Sequence, residues 1–514
     1  MSHDSNTGPK RRGVARIATA LSNLSAGQIS DPTYSRRPVP PMESKPDELL
    51  AIDNVRVLDV DAGRIREERT VLVDGDRIQR LLRSGELQQV AANRQVQVMD
   101  GKNRFLIPGL SDIHCHLSLV SEYGIGLRHL RHFDAQRLRN CEQALIAGCT
   151  LVRDSGGAHP SVAWLKSEID ANRLLGPRIL PSYEVLTPRG GMWDVGRIGN
   201  ALAPAMFGGR LLNFVSDDTA IERTLDRISA LGADCFKTYF EERPLYGGKR
   251  DTVYSMYNAD QARLIRRQAI RHEKLLEAHS MFISGSRIVA EAGFDSLAHL
   301  TVDAPYDEEL TRLMATNGVA IVPALSVGCY LAMNCGPGGF RDHPDLRFFQ
   351  GLLETYVQRQ IERCTVAALR PVYQGFRDWI LEEIPDRRMP MVGQVYPERV
   401  HGFAVNAATS LANLRNAGVK IGVGTDGGTG ITFAGQLEVE IDALAHFGFS
   451  PPEILRMATL GNMEILKREA DLGTVAPGKY ADFVLLDRDP LADATALLSV
   501  QRVFKGGRCL YTAD

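Results

Sequence analysis

The chain lacks any cluster of cysteines. Its eight, at positions 115, 141, 149, 235, 329, 335, 364 and 509, are scattered and form no CxxC pair. That spacing excludes a zinc ribbon or a disulfide scaffold and favours reduced, buried thiols. Charge of one sign is missing too: 60 Lys and Arg stand against 62 Asp and Glu, a net charge of -2. Neither a nucleic-acid surface nor a polybasic membrane anchor is therefore expected. No stretch approaches the roughly 18 uninterrupted apolar residues of a membrane span. Near the start, Lys10-Arg11-Arg12 precedes an apolar run that Arg16 interrupts, unlike the core of a secretory leader. The expected location is cytoplasmic.

What is present changes texture along the chain. Val14, Ile17, Leu21 and Leu24 fall at helical spacing, but most of residues 1–48 is polar and proline-bearing, the composition of a flexible arm or of one that docks on a partner subunit. Residues 49–104 read as a small β unit. Val55–Leu58 and Thr70–Val73 are short strands, and Asp74-Gly75-Asp76 is a hairpin signal. The same texture returns over 467–514, so a small β-sandwich built from both termini is expected around whatever lies between. Over 105–466 short apolar strands alternate with amphipathic segments such as Thr219–Ala230 and Ala259–Arg271. The strands are Phe105–His114, Cys149–Arg153, Arg178–Leu186, Cys235–Tyr239, Leu275–Ala278, Ser296–Ala298, Val319–Leu325 and Lys420–Gly424. Eight such units predict an α/β fold with a (β/α)8 TIM barrel. The stretch of about 329–400 interrupts the alternation. It reads as a mostly helical insertion over the barrel mouth, either a lid or subunit contact or a solvated excursion.

In such a barrel, chemistry gathers at the C-terminal ends of the strands. The first strand ends in His114-Cys115-His116. Residues two apart on a strand face one side, so the two imidazoles can meet one ion; alone, the pair reads equally as two ordinary histidines. Lys237 stands inside the apolar fourth strand, where its charge must be removed or paired unless its stem carries it to solvent. His279 ends the fifth strand and His299 the sixth; each alone reads as a structural histidine. Asp426 ends the eighth, before Gly427-Gly428, where a turn or helix cap is the ordinary explanation. Independent accidents do not explain all of these at the ends of strands 1, 4, 5, 6 and 8.

This constellation resembles the amidohydrolase superfamily, over nearly the whole chain from about residue 50. Ala458-Thr459-Leu460-Gly461-Asn462 and Leu472–Val484 look like that family's return to its β domain. The wording of Val152–Gly157 is most like the imidazolonepropionase-like and metal-dependent dipeptidase branch. The resemblance implies two divalent metal ions, with zinc expected: His114, His116 and Asp426 on one, His279 and His299 on the other. It also implies that Lys237 reacts with CO2 to form a carbamate bridging both; a single-ion site with an unmodified lysine is the alternative. A hydroxide shared by the cations would then be the nucleophile, with Asp426 moving its proton to the leaving nitrogen.

The loop after the third strand departs from the peptidase pattern Thr-Gly-Gly-His-Gly. Here it is Thr187-Pro188-Arg189-Gly190-Gly191-Met192-Trp193-Asp194, with Met192 where a histidine would stand. Met192 and Trp193 would wall a bulky or aromatic substrate. Arg189 either faces a carboxylate or caps the loop, and Tyr239 either bonds the substrate or belongs to the core. The expected activity is hydrolysis of a C–N bond in a small amide, dipeptide, N-acyl amino acid, urea or carbamate. Ring-opening of a cyclic amide is the second reading, and a non-catalytic barrel used for assembly the third. A homo-oligomer is expected, as barrels with a β domain and an arm commonly assemble.

Overall fold

The structure is a computed structural model. It describes residues 48–87, 94–118, 133–207, 209–244, 251–328, 344–363, 374, 388–389, 393–394, 397–428, 434–435 and 437–513. The arm, and all of the 329–400 insertion but the pieces named below, lie outside them. Among the described residues no helix is long and apolar enough to cross a membrane.

The two ends of the chain share one seven-stranded sheet. Its strands are β1 (Leu49–Asp59), β2 (Arg64–Asp74), β3 (Arg77–Arg83), β4 (Val96–Pro108), and, from the far end, the strands Phe483–Leu486, Val500–Lys505 and Arg508–Thr512. Gly75 and Asp76 form the two-residue turn that pairs Asp74 with Arg77, as their sequence predicts. The strand Phe483–Leu486 runs antiparallel to β4, pairing Phe483 with Pro108 and Leu486 with Phe105. Ile52, Val55, Val71, Ile78, Leu106, Phe483, Leu485 and Phe504 bury one common core between the two halves. The halves also meet at their ends, where Ala481 N–H donates to the Asp76 carbonyl.

The barrel starts later than the sequence suggests. Instead of one strand from Phe105 to His114, β4 stops at Pro108 and β5 (Leu110–Cys115) begins after Gly109. Two different partners cause the break: Gly109 N–H donates to the Asp482 carbonyl of the terminal sheet, while Leu110 N–H donates to Gly148 beside β6 (Cys149–Asp154). The expected strand Arg178–Leu186 is likewise split into β7 (Arg178–Pro181) and β8 (Val185–Thr187), with Tyr183 between them in the left-handed region at φ 54°. An unforeseen short strand, β9 (Leu212–Phe214), pairs in parallel with β8.

Next come β10 (Cys235–Tyr239), β11 (Leu275–His279), β12 (Ser296–Ala298) and β13 (Ala320–Val322), all parallel. The helices between them begin and end where side chains dictate. Asp217, Asn258 and Asp307 cap the N-termini of Asp218–Ala230, Ala259–Arg271 and Glu308–Asn317. Gly293 and Gly318, both at φ 69°, close two helices in a left-handed turn that favours glycine.

The ladder is not continuous around the barrel. β5, β6 and β7 form one sheet and β8 to β13 another, and the eighth position is not a strand but single bridges. Ile421 bridges to Ile321 on β13, and Gly427 to Cys115 on β5. Asp234 N–H donates to the Pro181 carbonyl where the two sheets meet. Of the insertion, the structure describes the helix Pro344–Arg363, with Phe349, Leu353, Tyr356 and Val357 buried, and a two-residue hairpin at 388–389 and 393–394.

Beneath the eighth position lies buried Glu440. It accepts from Ser326 N at 2.6 Å and Ser326 Oγ at 2.7 Å, and its second oxygen has no partner. Burial pushes its carboxyl up to about 7 despite the Ser326 bonds, and the Asp112 carboxylate adds to the rise. The folded protein therefore binds the proton more tightly than the unfolded chain, whose value is 4.5. Stability associated with this group is full below about 4.5 and lost as pH rises towards 7. Glu440→Gln should remove that slope, a difference on the order of 3 kcal/mol at neutral pH. Denaturation midpoints of both proteins from pH 4.5 to 8 check this.

Candidate metal centre

The site is built on the C-terminal end of β5. Alternation along the strand sends His114 into the barrel, and Asp112, two residues earlier, fixes what lies opposite. The Asp112 carboxylate accepts from Thr425 N at 3.0 Å, Thr425 Oγ1 at 2.6 Å and Gly435 N at 3.0 Å. Asn462 ties the same two segments together, donating to Ser111 O and accepting from Val423 N. Asp426 N–H then donates to the His114 carbonyl at 2.7 Å. The packing is so close that a Cβ on Gly424 would come within 2.7 Å of the His114 backbone nitrogen.

This frame brings three side chains to one point. Asp426 Oδ1 lies 3.2 Å from His114 Nε2 and 3.1 Å from His116 Nε2. The three offer ligand atoms that all lie within 4.8 Å of one another. The other nitrogen of each ring is held from behind: His116 Nδ1 by the Gly156 carbonyl at 2.9 Å, and His114 Nδ1 by Glu277 Oε1 at 2.5 Å. Held this way, both rings turn Nε2 to the same place.

Lys237, His279 and His299 surround that point. Lys237, 1% exposed, has Nζ 3.4 Å from Glu277 Oε2 and 3.5 Å from His114 Nδ1. The His299 ring lies 5.0 Å from that of His114 and 4.5 Å from that of His279. His299 Nδ1 and His279 Nε2 are buried without a hydrogen bond, although Glu241 Oε2 is 3.1 Å from His279 Nε2. His299 and Asp426 both take left-handed backbone, at φ 76° and 51°, a conformation that folds retain at sites that need it.

Electrostatics follow from burial and pairing. Burial, then the neighbouring His279, lowers His299 well below the usual histidine range, leaving a neutral imidazole. Burial and the Arg153 guanidinium lower Lys237, against the opposing pull of Glu277. Burial would raise Asp426, but the His114 and His116 rings against its Oδ1 hold it well below the usual carboxylate range. A neutral His299, an ionised Asp426 and buried imidazole nitrogens without hydrogen-bond partners belong to the donor set a divalent cation takes.

The loop residues sit as follows. Met192 is buried and its carbonyl accepts from Thr187 Oγ1; Trp193 is 40% exposed at φ 69° and hydrogen-bonds to Tyr239. The Tyr239 ring is 4.9 Å from His279. Asp194 fastens the loop through Gly190 N, Gly196 N and Asn200. Arg189 is exposed, and its contacts are those of the loop: its N–H donates to Ser216 Oγ and its charge acts on Asp194. Sequence reasoning missed the roles of Asp112, Arg153, Glu241 and Glu277. For Asp112, Arg153 and Glu277 the signal was a charged residue in an apolar strand, two positions from a histidine in the case of Asp112 and Glu277; Glu241 lies just past its strand and carried none.

Comparison with known proteins agrees with this arrangement. The family model described as "Amidohydrolase family" matches residues 105–510. Ochratoxinase of Aspergillus niger is 24% identical over 423 residues, covering 78% of this chain and 75% of the relative. The crystal structure of A. niger ochratoxinase superposes with a TM-score of 0.64 at 20% identity, over 90% of this chain and 96% of the other. A prolidase complexed with N-methylphosphonate-L-proline gives 0.63 at 21% identity, over 90% of this chain and 100% of the other. Phenylurea hydrolase B gives 0.62 at 19% identity, over 90% and 96%. The chain belongs to the amidohydrolase family and is a hydrolase acting on carbon–nitrogen bonds.

Proposed function

We propose that this protein is a binuclear metal-dependent amidohydrolase that cleaves an amide-type bond next to an apolar or aromatic group. The observation that carries the reading is the convergence of His114 Nε2, His116 Nε2 and Asp426 Oδ1 on one buried point. His114, His116 and Asp426 would hold one ion, His279 and His299 a second, and a carboxylated Lys237 would bridge them. Zinc suits imidazole and carboxylate donors. When bound, the ions supply Lewis acidity that polarises the scissile carbonyl and acidifies the attacking water.

The chain's own residues do the rest. Gly156 and Glu277 keep the two rings of the His-x-His pair facing inward. The Asp426 carboxylate takes the proton of the attacking water and returns it to the leaving nitrogen, which departs as a neutral amine. Burial and Arg153 lower Lys237, which favours the neutral amine that reacts with CO2. Trp193 and Tyr239, bonded to each other, form a rigid aromatic wall beside His279 against which a flat or apolar group can lie.

The substrates named for relatives fit a small acyl–nitrogen bond. One is called a prolidase and another a phenylurea hydrolase. The domain boundaries of 49–104 with 467–514 around 105–466, a homo-oligomer and a cytoplasmic location belong to the same proposal. Buried free Cys115, Cys141, Cys149, Cys235 and Cys509 support the last. A hydrolysis screen across N-acyl amino acids, X-Pro and X-Lys dipeptides, phenylureas and carbamates tests the activity. Turnover should concentrate in substrates with a bulky apolar group and stop on chelation. Turnover undiminished by a strong chelator would refute the reading.

A further inference from the structure

We propose that the Glu277 carboxylate positions two ligands at once: Oε1 fixes His114, and Oε2 accepts the one N–H that Lys237 keeps after carboxylation. The second half rests on the carboxylated lysine proposed above. Register puts the two residues together, because Lys237 on β10 pairs directly with Glu277 on β11. Glu277 is fully buried. Its Oε1 takes His114 Nδ1 at 2.5 Å and Arg153 Nη2 at 2.7 Å. Its Oε2 is ion-paired with Lys237 Nζ at 3.4 Å but makes no hydrogen bond of good geometry.

A buried carboxylate oxygen whose nearest donor is held too far for a good hydrogen bond gains when that donor is fixed closer. Carboxylation supplies a reason for one to be fixed there. The neutral amine attacks CO2, the N–C bond forms, one C=O electron pair moves to oxygen, and one proton passes from the nitrogen to water. The product, –NH–CO2⁻, retains a single N–H, and Oε2 is the acceptor beside it. Carboxylation also replaces a potential cation by an anion next to Glu277. Arg153 offsets that change: it is 1% exposed and anchored by Ile113 O at 2.6 Å and Ser296 Oγ at 3.0 Å. Glu277 is thus a positioning residue that acts through His114 and Lys237.

The test uses the full chain and two variants. Glu277→Asp keeps the charge that Arg153 requires but withdraws the carboxylate by one methylene; Glu277→Gln keeps the length and loses the charge. Zinc affinity is titrated, and 13C-bicarbonate reports the carbamate by NMR. With thermal midpoints near wild type, Glu277→Asp should bind zinc about 10- to 100-fold more weakly. Its labelled carbamate signal should fall and return when bicarbonate is raised. Both variants retaining wild-type zinc affinity and signal would overturn the proposal. A wild-type protein with no labelled carbamate would instead overturn the carboxylated lysine, and the two failures differ in whether wild type shows the signal. Should neither variant fold, 15N histidine spectra of the wild type decide: His114 must carry its proton on Nδ1, and protonation on Nε2 would overturn the role of Oε1.

Discussion

Asp426→Asn is expected to lower kcat by about 10²- to 10⁴-fold with little change in KM. The substitution isolates the proton-carrying role better than most. Asn keeps the size of the side chain and a carbonyl oxygen facing His114 and His116. It also tolerates the left-handed backbone at φ 51° better than other residues do, so the fold around Thr425 and Gly427 should persist. What it loses is the ability to take and return a proton. Steady-state kinetics with measured metal content check the outcome. Loss of metal in parallel with activity would make Asp426 chiefly a ligand, and unchanged kcat would remove it from the chemistry.

Lys237→Ala is expected to reduce activity by about 10²- to 10³-fold or more and to lower the metal content of the purified protein. Truncation empties the space beside Glu277 and His114 and removes the lysine nitrogen on which the carbamate would form. A small carboxylate such as acetate should restore part of the activity, because it returns an anionic oxygen pair to the same cavity. Lys237→Arg should not, since its guanidinium cannot be carboxylated in the same way and adds a permanent charge. Wild-type turnover in the alanine variant would remove Lys237 from the site.

The sequence carried the site further than it carried the strands. His114, His116, Lys237, His279, His299 and Asp426 stand out in sequence because each is a polar residue in or at the end of an apolar run, and the structure brings all six into one neighbourhood. Three strand boundaries were not legible. Phe105–Pro108 is as apolar as Leu110–Ile113, so composition cannot show that the first serves the terminal sheet and the second the barrel. The kink at Tyr183 is a backbone conformation with no glycine to mark it. At the eighth position, Gly422 and Gly424 allow close approach to Ile113 and His114 through isolated bridges, a role that reads in sequence as an ordinary strand.

The supporting carboxylates were hidden for a different reason. Charge within an apolar strand marks Glu277 and Asp112 as unusual but does not name their partners, until pairing puts Glu277 beside Lys237 and Asp112 beside Thr425. Long-range pairing is what a single sequence shows least.

Elemental analysis of the purified protein, paired with activity before and after chelation, decides whether the site around His114 and His116 works through bound metal. About two divalent ions per chain are expected, with activity that disappears with them and returns on adding zinc with bicarbonate. Full activity in a protein shown to hold no metal would contradict metal-dependent catalysis.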